Sequence, residues 1–275
     1  MKKILVATDF SACATNAMEY AMELAKVLHA EVCALHAIGS LEGIFNNTYN
    51  ALYIEDYHNN KRAALGRWAA SFTAREEYSE TPVTTFCEVG SVSGLIAKYI
   101  DANPVELLVM GTMGSTGITG LFGSNASTMV EKTKIPTLII PLESKFSTHP
   151  TITLATDFSS DSNLSSEDVN ALKELILAVG SEKLNVVHIL ESPEWKTNEA
   201  GEESLRKLID STELDFKYIQ ESSPIEGIMN FIVSSETDIL CLVKRHHNLV
   251  YRIFNTSTVN KVMARAIKAI LVLHE

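Results

Sequence analysis

The amino-acid sequence predicts an α/β protein built from two tandem, doubly wound, five-stranded parallel sheets. The first observation is an internal repeat, since KILVATDFS at 3–11 and TITLATDFS at 151–159 match at six of nine positions. The second is the alternation of short apolar runs with segments of helical periodicity, which is typical of a parallel sheet covered by helices on both faces. The third is that each half ends in a short apolar strand, TLIIP at 137–141 and AILVL at 269–273.

The 275 residues suffice for two domains, because a domain usually takes ~100–200 residues. A polar stretch that ends in Pro150 (LESKFSTHP, 142–150) separates the two repeats. We therefore predict a first domain over 1–143 and a second over 150–275. Either is large enough to bury its own core without disulfides or a structural metal.

In the first half, the buried strand ILVAT (4–8) precedes a helix over 12–29, in which Met18, Met22 and Ala25 recur at helical spacing. The remaining predicted elements are the strand EVCALHAI (31–38), a long helix over 51–78, the strand TTFCEV (84–89), the helix SGLIAKYI (93–100), the strand ELLVM (106–110), a helix over 124–133 and the strand TLII (137–140). The second half predicts strands near 152–156, 184–190, 215–220, 238–243 and 269–273. Crossovers between the parallel strands should be right-handed.

Composition excludes several classes of protein. The net charge of −11 argues against non-specific nucleic-acid binding, which depends on Lys and Arg. No apolar run approaches the ~20 residues of a membrane span, and the apolar part of MKKILVATDF is too short for a signal peptide. The four cysteines form no CxxC pair, so neither a disulfide framework nor a zinc site is indicated. We expect a reduced, cytoplasmic, soluble protein with no membrane partner.

A glycine-rich segment follows the fourth predicted strand and carries the clearest functional signal. Five glycines fall within GTMGSTGITGLFG (111–123), whereas the whole second half has three. Glycines allow a ligand to approach the backbone closely, and the free N–H groups of a helix that begins at Ser124 and Asn125 favour phosphate. The alternative is a plain surface loop with Ser124 as a helix N-cap. The GK[ST] ending of a P-loop is missing, and a Rossmann fingerprint would follow the first strand instead.

Asp9, at the end of the first strand, is the second candidate element of this site. In a doubly wound sheet of order 3-2-1-4-5, strands 1 and 4 are neighbours whose carboxyl ends flank the ligand-binding crevice. Asp9 and Gly111 should therefore meet there, and the carboxylate could accept from a ribose hydroxyl or help to hold Mg²⁺. The alternative is that Asp9 caps the following helix, which would explain why Asp157 repeats it.

These residues resemble the universal stress protein family, through ATDFS after the first strand and MGxxG…GS after the fourth. The resemblance extends over the whole chain, strongly in 1–141 and more weakly in 151–275, and the tandem arrangement resembles the two-domain members. The family pattern G-x2-G-x9-G-[ST] is one residue longer than the eight residues between Gly114 and Gly123. The resemblance implies an adenine-nucleotide alpha-hydrolase-like fold of strand order 3-2-1-4-5. It also implies pairing of the two last strands, here as an intramolecular pseudo-dimer, with a homodimer of tandem chains left open.

The family implies ATP, with Mg²⁺, as the ligand, and an adenine nucleotide as the partner. Carried over by position, the binding residues are Asp9, Ala37, Met110, Gly111, Gly114, Gly123, Ser124 and Asn125. No metal ligand is expected apart from Asp9 through magnesium-ATP.

The second half departs from this pattern. Aligning LVKRHH with VMGTMG places Lys244 at Gly111 and His247 at Gly114, and the same spacing places Thr256 and Ser257 at Gly123 and Ser124. The second half should therefore not bind ATP. Its basic segment KRHHNLVYRIF (244–254) is interpreted first as a packed loop, then as an anion or partner site, and last as a metal site through His246 and His247. His36 and His188, at matching strand ends, are interpreted as structural residues.

Two classes of function remain, together with a weaker third. The first is a stress-response sensor that binds ATP in the first half and regulates an unknown protein partner. The second is a scaffold, or a binder of another small molecule, without nucleotide. A slow ATPase is the weaker possibility, because the sequence contains neither a GxSxG elbow nor an HExxH motif. Cys13, near a helix start, is interpreted as a small buried residue rather than a nucleophile.

Overall fold

The computed structural model describes residues 2–39, 50–113, 124–158, 166–181, 183–191, 198–210, 212–244, 256–265 and 267–274. The first half contains β1 (Lys3–Ala7), α1 (Ala12–Leu28), β2 (Glu31–Ile38), α2 (Asn50–Thr73), β3 (Val83–Val89), α3 (Val92–Ala102), β4 (Leu107–Thr112), α4 (Ser124–Lys132) and β5 (Thr137–Pro141). The second half contains β6 (Ile152–Ala155), α5 (Ser166–Ala178), β7 (Lys183–Leu190), α6 (Glu199–Leu208), β8 (Glu213–Gln220), α7 (Pro224–Ser234), β9 (Ile239–Lys244), α8 (Thr256–Arg265) and β10 (Ala269–His274).

The predicted α/β class and strand order are confirmed in each half. The described strands form one sheet in the order β3-β2-β1-β4-β5-β10-β9-β6-β7-β8. Each half on its own follows the order 3-2-1-4-5 with parallel neighbours. The two sheets are not separate, however, because β5 and β10 pair antiparallel and fuse them into ten strands.

The junction of the two halves is locally two-fold symmetric. Leu138 pairs with Leu271 at its centre, and Ile139 pairs with Ile270 on one side. On the other side Thr137 pairs with Val272. This pairing leaves neither last strand with an open edge, which would otherwise be available for aggregation.

One predicted helix is longer than the observed one. The helix expected over 51–78 ends at Thr73, and Glu76–Tyr78 form a separate 3-10 turn. The break lies at Arg75, whose backbone is extended (φ −78°, ψ 133°). An extended residue cannot continue the hydrogen-bond pattern of the helix.

The core consists of two apolar layers, one on each face of the sheet. Alternate residues of a strand point to opposite faces, so Ile4 and Val6 enter one layer while Leu5 and Ala7 enter the other. Both layers run through both halves. Within the described part of the chain, no helix is long and apolar enough to cross a membrane.

Candidate functional site

The ATDF repeat forms a tight turn at the carboxyl end of β1. Phe10 lies in the left-handed region at φ 65°, which is unusual for a bulky residue. Its amide donates to Thr8 Oγ1 at 3.0 Å, and the Ser11 amide donates to Asp9 Oδ1 at 3.0 Å. Ser11, not Asp9, is the N-cap of α1, because its side chain accepts from the Ala14 amide. The exposed Asp9 carboxylate therefore shapes the turn and also faces outward.

A histidine at the end of β2 holds this turn. His36 Nδ1 donates to the Thr8 carbonyl oxygen at 2.8 Å, and its ring lies 4.4 Å from that of Phe10. The ring of His36 is nearly buried, with 8% of its surface exposed. Its contacts give it the structural role predicted from its place in the sequence.

The second half repeats the same arrangement. Phe158 has φ 49°, and His188 Nδ1 donates to the Thr156 carbonyl oxygen at 2.8 Å. The Phe158 and His188 rings lie 5.1 Å apart. Much of the repeated ATDF sequence therefore encodes a backbone turn, which explains why it is present in both halves.

Gly111, at the end of β4, lies against the start of α1. A Cβ at this position would stand 2.3 Å from the Cys13 carbonyl oxygen and 2.9 Å from the Ala14 amide nitrogen. No side chain fits within such a distance. The glycine is therefore required by close approach of two backbones, and not by a positive φ angle.

A cleft of about 310 Å³ opens where β1, β2 and β4 end. Five of the predicted site residues line it: Asp9, Ala37, Met110, Gly111 and Asn125. Ser124 is the first residue of α4, and Gly114 and Gly123 lie outside the described residues. The sequence thus brings together the ends of three strands and the start of one helix.

The cleft also contains residues that sequence analysis did not assign to it. They are Ala7, Thr8, Ser11, Cys13, Ala14, Leu35, Val92, Thr112, Met113 and Ala126. Thr8 and Ser11 could have been found, since they flank Asp9 in the repeated motif. Val92 carried no such signal, because it enters the cleft from the start of α3.

The surroundings of Cys13 disfavour its thiolate form. It is buried, and burial raises the pKa of its thiol, with the negative charge of Asp9 raising that pKa further. Its Sγ donates to Met113 Sδ at 3.0 Å. These contacts agree with its interpretation as a small buried residue rather than a nucleophile.

The strand register corrects the alignment of the two halves. Ile4 pairs with Leu107, and its equivalent Ile152 pairs with Ile239. Counting along the strands places Val243 at Gly111 and Lys244 at Thr112, one residue away from the sequence alignment. The apolar run of β9 offered no landmark for the register. By the same count His246, rather than His247, would match Gly114, but both lie outside the described residues.

The corrected register keeps the conclusion that the second half lacks the glycine at this point. Val243 carries a branched Cβ where the first half requires none. Lys244 does not fill an anion site of its own half, because its side chain is 2% exposed and reaches α4 of the first half. Among the described residues, no group of three or more His, Cys, Asp or Glu side chains could hold a metal ion.

Comparison with known proteins defines the family. The model of the universal stress protein family matches residues 1–141. A search of the curated proteins finds no significant match.

The fold is shared with solved structures of low sequence identity. A universal stress protein from Archaeoglobus fulgidus DSM 4304 is 18% identical, with a TM-score of 0.77, over 98% of this chain and 97% of that chain. A protein assigned to the universal stress proteins from Pseudomonas aeruginosa UCBPP-PA14 is 13% identical, with a TM-score of 0.64, over 100% of this chain and 93% of that chain. Because the family model matches more than half of the 275 residues, the chain belongs to the universal stress protein family.

Proposed function

We propose that the protein is a stress-response module that binds magnesium-ATP in the cleft of its first half. The first domain, 1–143, would bind the nucleotide, and the second, 150–275, would be structural. The observation that carries this proposal is the convergence of Asp9, Gly111 and the start of α4 on one cleft. That place is the topological switch point of the sheet, where doubly wound proteins bind their ligands.

The lining of the cleft combines apolar and polar groups. Leu35, Ala37 and Val92 are apolar lining residues and suit a purine base. Asn125 and Ala126 line the cleft from the start of α4, and the free N–H groups of a helix start suit phosphate. Asp9 follows β1, which lies between β2 and β4 in the sheet, and its carboxylate suits a ribose hydroxyl or Mg²⁺. The close approach at Gly111 keeps the backbone, rather than a side chain, at the wall of the cleft.

The remaining predicted contacts continue from these described residues. Met110 lines the cleft from β4. Gly114, Gly123 and Ser124 would complete the binding site for the phosphates of the nucleotide. The glycines of this segment would supply N–H groups without side-chain bulk at their own positions. Bound ATP would act as a signal only by favouring one conformation of the protein over another.

A scaffold without nucleotide and a slow ATPase are the competing functions. Asp9 is the one carboxylate among the described residues that line the cleft, and its Oδ1 already accepts from Ser11.

A cytoplasmic location is part of the proposal and rests on the four cysteines, which are free thiols in the structure.

The test compares Asp9 with Asp157, which lies in the equivalent turn of the second half. Thermal unfolding is measured with and without millimolar Mg-ATP for the wild type, Asp9→Asn and Asp157→Asn. A ligand at 100 times its Kd stabilises the native state by about 2.7 kcal/mol, which raises Tm by about 5 °C. We expect this rise in the wild type and in Asp157→Asn, and a smaller rise in Asp9→Asn.

An equal rise in Tm with Mg-ATP in both variants would show that Asp9 does not contribute to the binding site. No shift in the wild type at millimolar Mg-ATP would contradict nucleotide binding and favour the scaffold. Phosphate release that Asp9→Asn reduces would support the ATPase.

A further inference from the structure

A lysine from the second half holds the helix that borders the first-half cleft. Lys244 is the last residue of β9, and its Nζ donates to the Val130 carbonyl oxygen at 2.8 Å. It also donates to the Glu131 carbonyl oxygen at 2.6 Å. Both acceptors lie in the last turn of α4. The contact joins residues that are more than 110 positions apart in the sequence.

The last turn of a helix has carbonyl groups without partners inside the helix. At this end of α4 the amide of Thr133 donates to the Met129 carbonyl oxygen. Lys244 donates to the next two carbonyl groups along the helix. A cation at this end also interacts favourably with the helix dipole. A buried ammonium would be costly without such partners, so this contact fixes the side chain and the helix end together.

The other end of α4 borders the cleft. Asn125 and Ala126 line the cleft from the first turn of the nine-residue helix. Glu131 lies seven positions after Ser124, which corresponds to about 10 Å along the axis. We expect so short a helix to shift as a unit, so that a displacement at Glu131 would also displace the N–H groups at its start.

The two halves differ at the position of this lysine. The strand register makes Thr112 the first-half equivalent of Lys244. A threonine side chain ends at its γ atoms and has no ammonium. The equivalent position of the first half therefore lacks the group with which Lys244 makes this contact.

We infer that Lys244 is a positioning residue for the nucleotide site of the first half, acting through the carboxyl end of α4. This inference rests on the proposed function. It also gives the second half a role, because nucleotide binding and the interface between the halves would be linked through one helix. Linkage of this kind is reciprocal, so bound nucleotide would in turn strengthen the Lys244 contact.

The test uses the full chain and isothermal titration with Mg-ATP. Lys244→Met keeps the aliphatic stem but removes the ammonium, and Lys244→Arg restores a cation with several donors. The matched control is Lys2→Met, which removes another contact between the halves, the 2.6 Å pair of Lys2 and Glu174, without touching α4. We expect Lys244→Met to weaken Mg-ATP binding about fivefold or more, and Lys244→Arg and Lys2→Met to remain within about twofold of the wild type.

Hydrogen exchange of the α4 amides provides a second readout that needs no ligand. Faster amide exchange over 128–133 in Lys244→Met, but not in Lys2→Met, would support the inference that Lys244 stabilises the carboxyl end of α4. If Lys244→Met does not fold, Lys244→Gln, which replaces the ammonium by a shorter and uncharged amide, takes its place with the same expectation.

Two results would overturn the inference in distinguishable ways. If the folded Lys244 variant binds Mg-ATP as tightly as the wild type does, Lys244 is a structural cap and the proposed function stands. If the wild type itself binds no Mg-ATP, the proposed function fails and takes the positioning role with it.

Discussion

The Cys13 carbonyl oxygen lies 2.3 Å from the point where a side chain on Gly111 would begin. Helix α1 and strand β4 thus meet backbone against backbone at the wall of the cleft. This contact, and not the conformational freedom of glycine, makes Gly111 necessary. The same position in the second half carries Val243, so the two halves cannot pack alike there.

Replacement of Gly111 by Ala should destabilise the protein. The added methyl group meets backbone atoms that cannot rotate away, and overpacking of this kind costs about 1–3 kcal/mol. The free energy of unfolding, measured with urea, should fall by this amount. Gly66→Ala is the matched control, because a Cβ there meets nothing within 4 Å and Ala is favoured over Gly in a helix by about 0.5–1 kcal/mol. Equal effects of the two changes would show that the close contact is absent.

Cys13 should serve as a reporter of the cleft. Its thiol lines the cleft and its pKa is raised, so alkylation at pH 7 should be slow, and Mg-ATP should slow it further. Cys87, which is half-buried on β3 and outside the cleft, is the internal control. The rates can be followed by mass spectrometry of the labelled peptides. Protection of both cysteines alike would indicate general stabilisation and not occupancy of the cleft.

Asp9→Asn should make Cys13 more reactive. The charge of Asp9 raises the pKa of the Cys13 thiol, so removal of that charge lowers this pKa and increases the thiolate fraction at neutral pH. The pH dependence of alkylation in the absence of nucleotide should shift to lower pH in this variant. An unchanged profile would mean that Asp9 does not act on the thiol through its charge.

An ion pair between β7 and β8 of the second half should weaken at acid pH. The Lys183 ammonium, 2.5 Å from Asp215, holds the pKa of that carboxyl below its usual value, with Lys217 adding to the effect. A lowered folded-state pKa contributes stability that is present above the unfolded value of about 3.9 and is lost as pH falls through the folded value. Lys183→Met should therefore be less stable than the wild type at pH 7, and the difference should shrink as pH falls below about 3.9 and vanish below the folded-state pKa of Asp215. A difference independent of pH would contradict this reading.

The fold can be predicted from the sequence because the signals that mark it are local. The ATDFS repeat marked both first strands, and the glycine-rich segment marked the end of the fourth. The alternation of strands and helices then predicted a parallel sheet in each half, and the family resemblance implied its strand order. Asp9, Ala37, Met110, Gly111 and Asn125 were assigned together, and they line one cleft.

What sequence analysis missed depends on distant contacts. The apolar run of β9 is uniform, so nothing in it revealed that Lys244 matches Thr112 and not Gly111. The burial of Lys244 depends on α4, more than 110 residues earlier. Residues 3–11 and 151–159 look alike largely because both form the same turn. The sequence alone does not distinguish this shared role in forming a turn from a role of Asp9 in binding a ligand, whereas the contacts in the structure show the turn directly.

The most direct test of the account is the stoichiometry of Mg-ATP binding, measured by isothermal titration on the full chain. We predict one site per chain, weakened by Gly114→Lys and by Ser124→Ala. Two sites would contradict the prediction that the second half does not bind ATP. Absence of heat at millimolar Mg-ATP, together with an unchanged Tm, would contradict nucleotide binding altogether.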